Sequence, residues 1–561
     1  MTKPNPISRT FLTLIIAFYL SVPLNIPFIR GVLSGFDSFT VQNCLFIISF
    51  FIILILLYNI ILSLLLVPYL GKPLISIVIL ISSFTNYVML KFGILIDREM
   101  IRNVFNSNSH EALDLVTLSS VFWFMFSGVI PVILIYLIPV GYKPIRKEIM
   151  SRLGVIILSL VLGASLFVFY SKDILSFGRN HREFRNLVNT INYTRAVITY
   201  AKGYFSTPGV YVQVDQNILH TPFEDSALTF LVIVVGETAR ADRFSVNGYE
   251  KNTNPGLAKQ DIISFKDAFS CGTSTAYSLP CMFSSYPKDK FDINLAKDTE
   301  NLVDLIFNSK YDILWKENND GCKGVCNRIP TVDLVTIPDE RYCKQGPCYD
   351  EYLIHDFRDY VRDLKKDTVL VLHMLGSHGP TYHKRYPEQF RQFLPSCDTA
   401  DLSKCSVEEI SNTYDNTILY TDHVLSRIID TLKEFPELES GLIYVSDHGE
   451  SLGENNIYLH GMPYTIAPKE QKHVPFILWL SETMKQEDYV DYDCLRKLAE
   501  QQKISHDNLF SSVLSLLEIS SSSYEQSLDI FRSCRTPQVE QRPFTETVPH
   551  DSVNTDNTVK R

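Results

Sequence analysis

Apolar residues are distributed in two different ways along this chain. Up to about Tyr170 they form long, nearly unbroken runs, and after about Ser226 they come in short groups separated by polar residues. Five runs reach or approach the roughly 20 residues that cross a bilayer as a helix. They extend from about Phe11 to Ile29, Cys44 to Leu70, Leu74 to Ile96, Leu118 to Ile138 and Leu153 to Tyr170. The last is the shortest, and Tyr170 suits a membrane interface. The first is longer than a signal-peptide core and no small-residue cleavage site follows it, so it reads as a retained anchor. Lys3, Arg9, Lys72, Lys143, Arg146, Lys147 and Arg152 fall on one side of these spans, against Arg30, Arg98 and Arg102 on the other. The basic side is expected to face the cytoplasm. Five crossings then carry everything after Tyr170 to the outside of the inner membrane.

Between Ser171 and Phe223 basic and aromatic residues alternate with apolar ones. That pattern fits a helix lying on the membrane surface, and equally a solvated linker. Beyond it, three apolar runs each end in a chemical cluster. Leu228 to Val235 leads into Gly236-Glu237-Thr238, Val369 to Leu372 into the His373–His378 stretch, and Leu442 to Val445 into Ser446-Asp447-His448. Short continuous apolar runs are the signature of buried parallel strands. In open α/β sheets the ligand site lies beyond the carboxyl ends of such strands. The tail after Arg535 is polar and contains proline, and reads as loose. The expected division is a transmembrane domain over 1–170, an interfacial bridge over 171–225 and a catalytic domain over 226–561.

The net charge of -10 argues against a nucleic-acid partner. The cysteines support the proposed topology. Cys44 falls in a span, and the other ten lie in the second half, eight of them as close pairs: Cys271/Cys281, Cys322/Cys326, Cys343/Cys348 and Cys397/Cys405. Cys494 and Cys534 remain as a fifth pair. A zinc–thiolate framework is the alternative, but an oxidising compartment favours disulfides.

Glu237, Asp447 and His448 supply two carboxylates and an imidazole at expected strand ends, a ligand set for a divalent metal such as zinc. Alone, Asp447-His448 would more often simply shape a turn; three strand-end clusters in one domain weigh against that. A nucleophile candidate lies in the hydroxyl-rich run Ser270-Cys271-Gly272-Thr273-Ser274-Thr275, which leads toward a helix whose N-terminus would hold phosphate. A metal beside such a hydroxyl would help it ionise and attack phosphorus. The residues alone do not separate Thr273, Ser274 and Thr275, and an ordinary N-cap cluster would look the same.

The runs GETARADRFSVNGY, SCGTSTAYSLPCMFS, HMLGSHGPTYHKRYP and SDHGESLGENNIYLHGMPYTIAPKEQ together resemble the phosphoethanolamine–lipid A transferases. These belong to the alkaline phosphatase/sulfatase superfamily and include mobile colistin-resistance enzymes. The resemblance implies a five-helix transmembrane domain plus an α/β/α periplasmic domain of alkaline-phosphatase/sulfatase type. It implies zinc ligands at Glu237, Thr275, Asp447 and His448, with Thr275 taking the phosphoethanolamine group. His378 and His460 match histidines near the phosphate, where a second zinc is an open alternative. Lys323 matches a lysine lining the substrate site, but Asp320 stands where the family often has serine. Asn103, Ser107 and Glu111 are spaced by four, a stripe on one helical face. A polar stripe is more often just solvated, yet these positions match family residues that contact the donor head group. His373, Arg240 and Asp242 read as structural. The implied partners are phosphatidylethanolamine as donor, lipid A as acceptor and the inner membrane, around a monomer. Another envelope acceptor (a core sugar, a glucan or a protein), phosphoglycerol transfer, or a phospholipid-binding membrane sensor remain the competing readings.

Overall fold

The computed structural model describes residues 6–36, 38–67, 69–106, 115–141, 144–180, 182–205, 211–215, 218–220, 227–343, 348–487 and 490–535. Among the described residues, five helices are long and apolar enough to cross a membrane. They are α1 (Arg9–Ser34), α2 (Val41–Leu65), α3 (Gly71–Phe92), and, after a short helix α4 (Arg98–Asn106), α5 (Leu118–Leu137) and α6 (Ile145–Phe169). Thr40 caps α2, its hydroxyl accepting from the Asn43 amide at 3.2 Å. Pro23 opens a 3₁₀ turn inside α1, as expected where a proline removes a helical donor. Helix α6 packs on α2 but turns most of its side chains outward, with only 6% of its apolar window buried. Such a surface suits lipid.

The apolar run suggests that the fifth span starts at Leu153, but the helix begins at Ile145. Its polar first turns are stabilised by partners. Glu148 pairs with Arg9 of α1 and with Arg152, and Arg152 donates to the Leu66 carbonyl at 3.0 Å.

The segment after the spans folds as α7 (Ser171–Asn180) and α8 (Asn189–Tyr204). Helix α8 is anchored to the spans at its start. Its first residue, Asn189, is 1% exposed. The Asn189 backbone amide donates to Asn25 at 2.8 Å; its side chain donates to the carbonyls of Leu24 and Ser82 and accepts from Thr85 at 2.6 Å. A buried amide with every bond made ties α8 to α1 and α3.

The second half is built on a seven-stranded sheet. Its strands are β1 (Thr229–Gly236), β2 (Ile263–Phe265), β3 (Asp312–Glu317), β4 (Thr331–Asp333), β5 (Thr368–His373), β6 (Glu439–Ser446) and β7 (Phe476–Leu480). Their order is β2-β7-β6-β1-β5-β3-β4, and β6, β1, β5, β3 and β4 are parallel while β7 runs against β6. The three runs recognised in the sequence are thus the adjacent central strands. Both faces of β1 are buried: Leu231, Ile233 and Val235 enter one core, Phe230, Val232 and Val234 the other. That is why its sequence reads as continuous rather than alternating. Before β3 lies α9 (Thr275–Met282), and one face of the sheet is covered by α10 (Val407–Leu432), opened by a capping box between Ser406 and Glu409. All five cysteine pairs are closed as disulfides and Cys44 is free.

Candidate active site

Register brings the strand ends together. Gly236 lies opposite Ser446, and Val235 opposite His373. The residues that follow β1 and β6, Glu237, Asp447 and His448, are each 0% exposed and form a group able to hold a metal ion. The turn after β5 packs tightly beneath them. Gly376 has φ +53°, and a Cβ there would meet the Glu237 backbone at 2.7 Å, so only glycine fits.

The donor set suits a cation. Asp447 Oδ1 accepts from the amides of Thr238 and His448, at 3.2 and 2.7 Å, while Oδ2 is buried without a hydrogen-bond partner among the described residues. Such an orphaned anionic oxygen is costly unless a cation meets it. Burial and the adjacent Glu237 carboxylate push the Asp447 carboxyl well above its usual range. His448 Nδ1 donates to the Gly449 carbonyl at 2.9 Å, leaving Nε2 as a lone pair facing Glu237 and Asp447, 3.4 Å from each. Burial and the neighbouring His460 lower its pKa to about 3, so the ring stays neutral, the form that ligates metal.

The three hydroxyls that the sequence leaves equivalent are separated by their contacts. Thr273 donates to the Met462 carbonyl at 2.6 Å, and Ser274 is the N-cap residue of α9 but makes no side-chain cap bond. Only Thr275 turns into the cluster, donating to Glu237 Oε2 at 3.0 Å with His448 Nε2 at 3.3 Å. The backbone amides of Thr275 and Ala276, in the first turn of α9, find no acceptor among the described residues.

His460 and His378 stand beside this centre, with the His460 ring 4.4 Å from that of His448 and 5.5 Å from that of His378. His460 Nδ1 is held by Glu450 at 2.8 Å, and Tyr382 donates to the other Glu450 oxygen at 2.6 Å. Lys323, in the loop closed by Cys322–Cys326, donates to the Asp320 carboxylate at 2.9 Å. The departure at position 320 therefore supplies a direct ionic partner for that lysine. Arg240 is gripped by Asp242 and Glu454, as a supporting residue would be.

Helix α4 lies against the His460 turn. A Cβ added at Gly461, φ +87°, would come within 3.0 Å of Met100 and 3.5 Å of the Asn103 amide nitrogen. Asn103 is thereby at the site's edge, while Ser107 and Glu111 lie outside the described residues.

Three supporting residues escape the sequence reading. Asn319 donates to Glu237 Oε2 at 2.7 Å and to the Met374 carbonyl at 3.1 Å. Asp350 accepts from the amides of Leu375 and Gly376 at 2.8 and 2.9 Å, fixing the turn under Glu237. Glu450 orients His460. Only Glu450 sits in a recognised motif; Asn319 and Asp350 have no local signal. His373 is fully buried against Glu317 at 2.9 Å and backs Asn319, consistent with a structural role.

Comparison with known proteins gives a consistent result. Residues 229–519 match the sulfatase family, and residues 54–205 match the family described as phosphoethanolamine transferase EptA/EptB. Phosphoethanolamine transferase EptA of Escherichia coli K12 is 38% identical over 531 residues, 93% of this chain and 96% of that protein. Phosphatidylethanolamine transferase Mcr-1 of Escherichia coli is 36% identical over 470 residues, 80% of this chain and 84% of its own. The integral membrane protein lipooligosaccharide phosphoethanolamine transferase A of Neisseria meningitidis superposes with a TM-score of 0.92 at 36% identity, over 95% of this chain and 100% of its own. The soluble domain of the Neisseria protein, solved by itself, covers 59% of this chain and 100% of its own, at 43% identity and a TM-score of 0.58.

Proposed function

Because the chain belongs to the phosphoethanolamine transferases of the alkaline phosphatase/sulfatase superfamily, we propose that it moves phosphoethanolamine from phosphatidylethanolamine to a phosphate of lipid A through a covalent adduct on Thr275. Glu237, Thr275, Asp447 and His448 would hold one zinc ion, and His378 and His460 a second if one is used. The observation that carries the reading is the Thr275 hydroxyl, alone of three candidates, turned into the carboxylate–imidazole cluster at the start of a helix.

In the first step the Thr275 hydroxyl gives up its proton as Oγ1 attacks the donor phosphorus, the bond to the diacylglycerol oxygen breaks, and diacylglycerol leaves with a proton. In the second, a phosphate oxygen of the acceptor attacks the same phosphorus and Thr275 is released. Zinc supplies Lewis-acid charge stabilisation and makes the threonine hydroxyl easier to ionise. Glu237 orients that hydroxyl. The free amides and dipole of α9 receive a phosphoryl oxygen. His460, steadied by Glu450, gives the leaving oxygen its proton, and His378 and Lys323 face the phosphoryl charge. Asn103, with Ser107 and Glu111, holds the ethanolamine end of the donor, Glu111 pairing with its ammonium.

The distribution of basic residues supports a place in the bacterial inner membrane with the catalytic domain in the periplasm, and we take the chain to act as a monomer. Capping lipid A phosphates with a cation lowers the outer surface's negative charge and weakens binding of polymyxin and other cationic peptides. The test is a mass spectrum of lipid A from cells with and without the gene. Lipid A gains phosphoethanolamine only with the active gene. Modification confined to core sugars, glucan or protein would overturn the acceptor assignment.

A further inference from the structure

A cavity of about 270 Å³ lies between the membrane half and the catalytic half, one residue from the nucleophile. Arg98 and Arg102 of α4 and Tyr200 of α8 form one side. Ala276 and Pro280 of α9, Asn294, Lys297 and Lys323 form the other. Among the described residues four cations and no carboxylate line it. Arg102 is paired with Glu99 and Lys323 with Asp320. Arg98 and Lys297 have no ion-pair partner among the described residues. The Arg98 guanidinium is fixed by Asn294, donating to its Oδ1 at 2.6 Å, while its Nε is buried and makes no hydrogen bond. A buried guanidinium donor held in place without an acceptor is costly unless an anion completes it.

The size is at the low end for small-molecule pockets, enough for a head group and not for a lipid. Charge selects which head group. The donor carries an ammonium, which the uncompensated Arg98 and Lys297 repel, and its phosphate must sit on Thr275. The acceptor brings a phosphate. Resting on the proposed lipid A reading, we infer that this cavity seats the acceptor's phosphorylated sugar head, with Arg98, Arg102 and Lys297 binding the phosphate and aiming it at the phosphorus carried by Thr275. In that step the acceptor's P–O⁻ oxygen forms the new bond to phosphorus, the Thr275 Oγ1–phosphorus bond breaks, and the threonine oxygen takes a proton from His460.

The test separates the half-reactions in the full-length enzyme in detergent. Adduct formation is read by diacylglycerol release and intact mass with phosphatidylethanolamine alone. Discharge is read as adduct lost against lipid A concentration. In Arg98→Gln/Lys297→Gln, the half-saturating lipid A concentration rises at least roughly tenfold, the low end for losing a single charge-assisted bond, while the adduct forms at near the wild-type rate. Arg98→Lys recovers part of the loss. Lys297→Glu, at an exposed position that folding tolerates, raises the half-saturating concentration as well. Unchanged half-saturation in these variants overturns the inference, as does an adduct-formation defect equal to the discharge defect, which would make the cavity a donor site. A wild-type adduct that lipid A fails to discharge overturns the acceptor reading instead, and is distinguishable because it needs no variant.

Discussion

At the scale of single residues, the site's chemistry depends on atoms that have one partner each. Thr275 is the hydroxyl expected to carry the adduct. Thr275→Ala removes one oxygen at a half-buried helix start, so transfer falls to background while the fold and its thermal stability stay near wild type. Peptide mapping after incubation with phosphatidylethanolamine finds the adduct on Thr275, and an adduct on Thr273 or Ser274 would refute the assignment. Asp447→Ala removes the buried oxygen that lacks a partner, so zinc occupancy and activity fall together; full occupancy in the folded variant would exclude Asp447 as a ligand. Asn319→Ala tests the residue behind Glu237. Loss of its 2.7 Å bond should weaken zinc binding by roughly 10- to 100-fold, the usual cost of an outer hydrogen bond to a metal ligand, measured by chelator competition. Glu237, Asp447 and His448 are legible in the sequence because each ends a strand that reads as buried. The choice among three hydroxyls is not, since it depends on which way each side chain points once Met462 has claimed Thr273. Asn319 and Asp350 are invisible for a similar reason: their partners are far away in sequence and no motif marks them.

At the scale of elements, continuous apolar patterning reads well where an element is buried on both faces. It gives β1, β5 and β6, and misses the neighbouring β3, whose Asp312 and Lys316-Glu317 break the run. Lys316 is buried even so because it reaches Asp356. Amphipathic patterning reads the presence of α8 but not its partner, since a membrane surface and a protein groove demand the same apolar stripe. The start of α6 is missed because its polar turn is paired rather than solvated. One joint between the halves is chemical rather than apolar. Lys91, in the last turn of α3, lies 2.7 Å from Asp401 Oδ1, and Ser119 donates to Oδ2 at 2.7 Å. Asp401 lies in the loop closed by Cys397–Cys405. Burial raises its carboxyl pKa, but bonds from Lys91, Ser403 and Ser119 outweigh this and hold it far below the usual value. A depressed carboxyl contributes stability above its unfolded pKa of about 4, and that contribution is lost as the pH falls below it. Asp401→Asn should therefore weaken the joint by roughly 1–3 kcal/mol at neutral pH. It should also flatten the acid dependence of hydrogen exchange in the 397–405 loop. Identical exchange profiles at pH 7 would remove this joint from the account.

At the scale of the whole molecule, the metal set and Thr275 lie entirely in the second half, yet the loop bearing His460 rests on the first. Met462 and Ala467 pack into one apolar cluster with Met89, Leu95, Ile96, Ile101, Tyr193 and Ala196, and Gly461 abuts Met100 and Asn103. A chain truncated to begin at residue 227 keeps the sheet, the five disulfides and both main cores apart from Tyr87, Phe92 and Ile94. It is expected to fold, as the soluble domain solved for the Neisseria relative does. Zinc binding should survive truncation, because Glu237, Asp447, His448 and their supports Asn319 and Gly449 are all retained. Cleavage of a short-chain, soluble phosphoethanolamine ester should be slow, because the His460 turn loses the helix that covers it. Transfer to lipid A should fall by at least ~100-fold, since both lipids must then be captured from a distant bilayer and positioned without α4, α8 or the cationic cavity. The measurements are zinc titration of the purified truncated chain, ester turnover, and lipid A mass spectra from cells exporting it. If the exported domain modified lipid A as well as the full chain does, the membrane half would be an anchor alone. If zinc affinity fell with it, the metal centre would depend on the membrane half through contacts other than those of its own ligands.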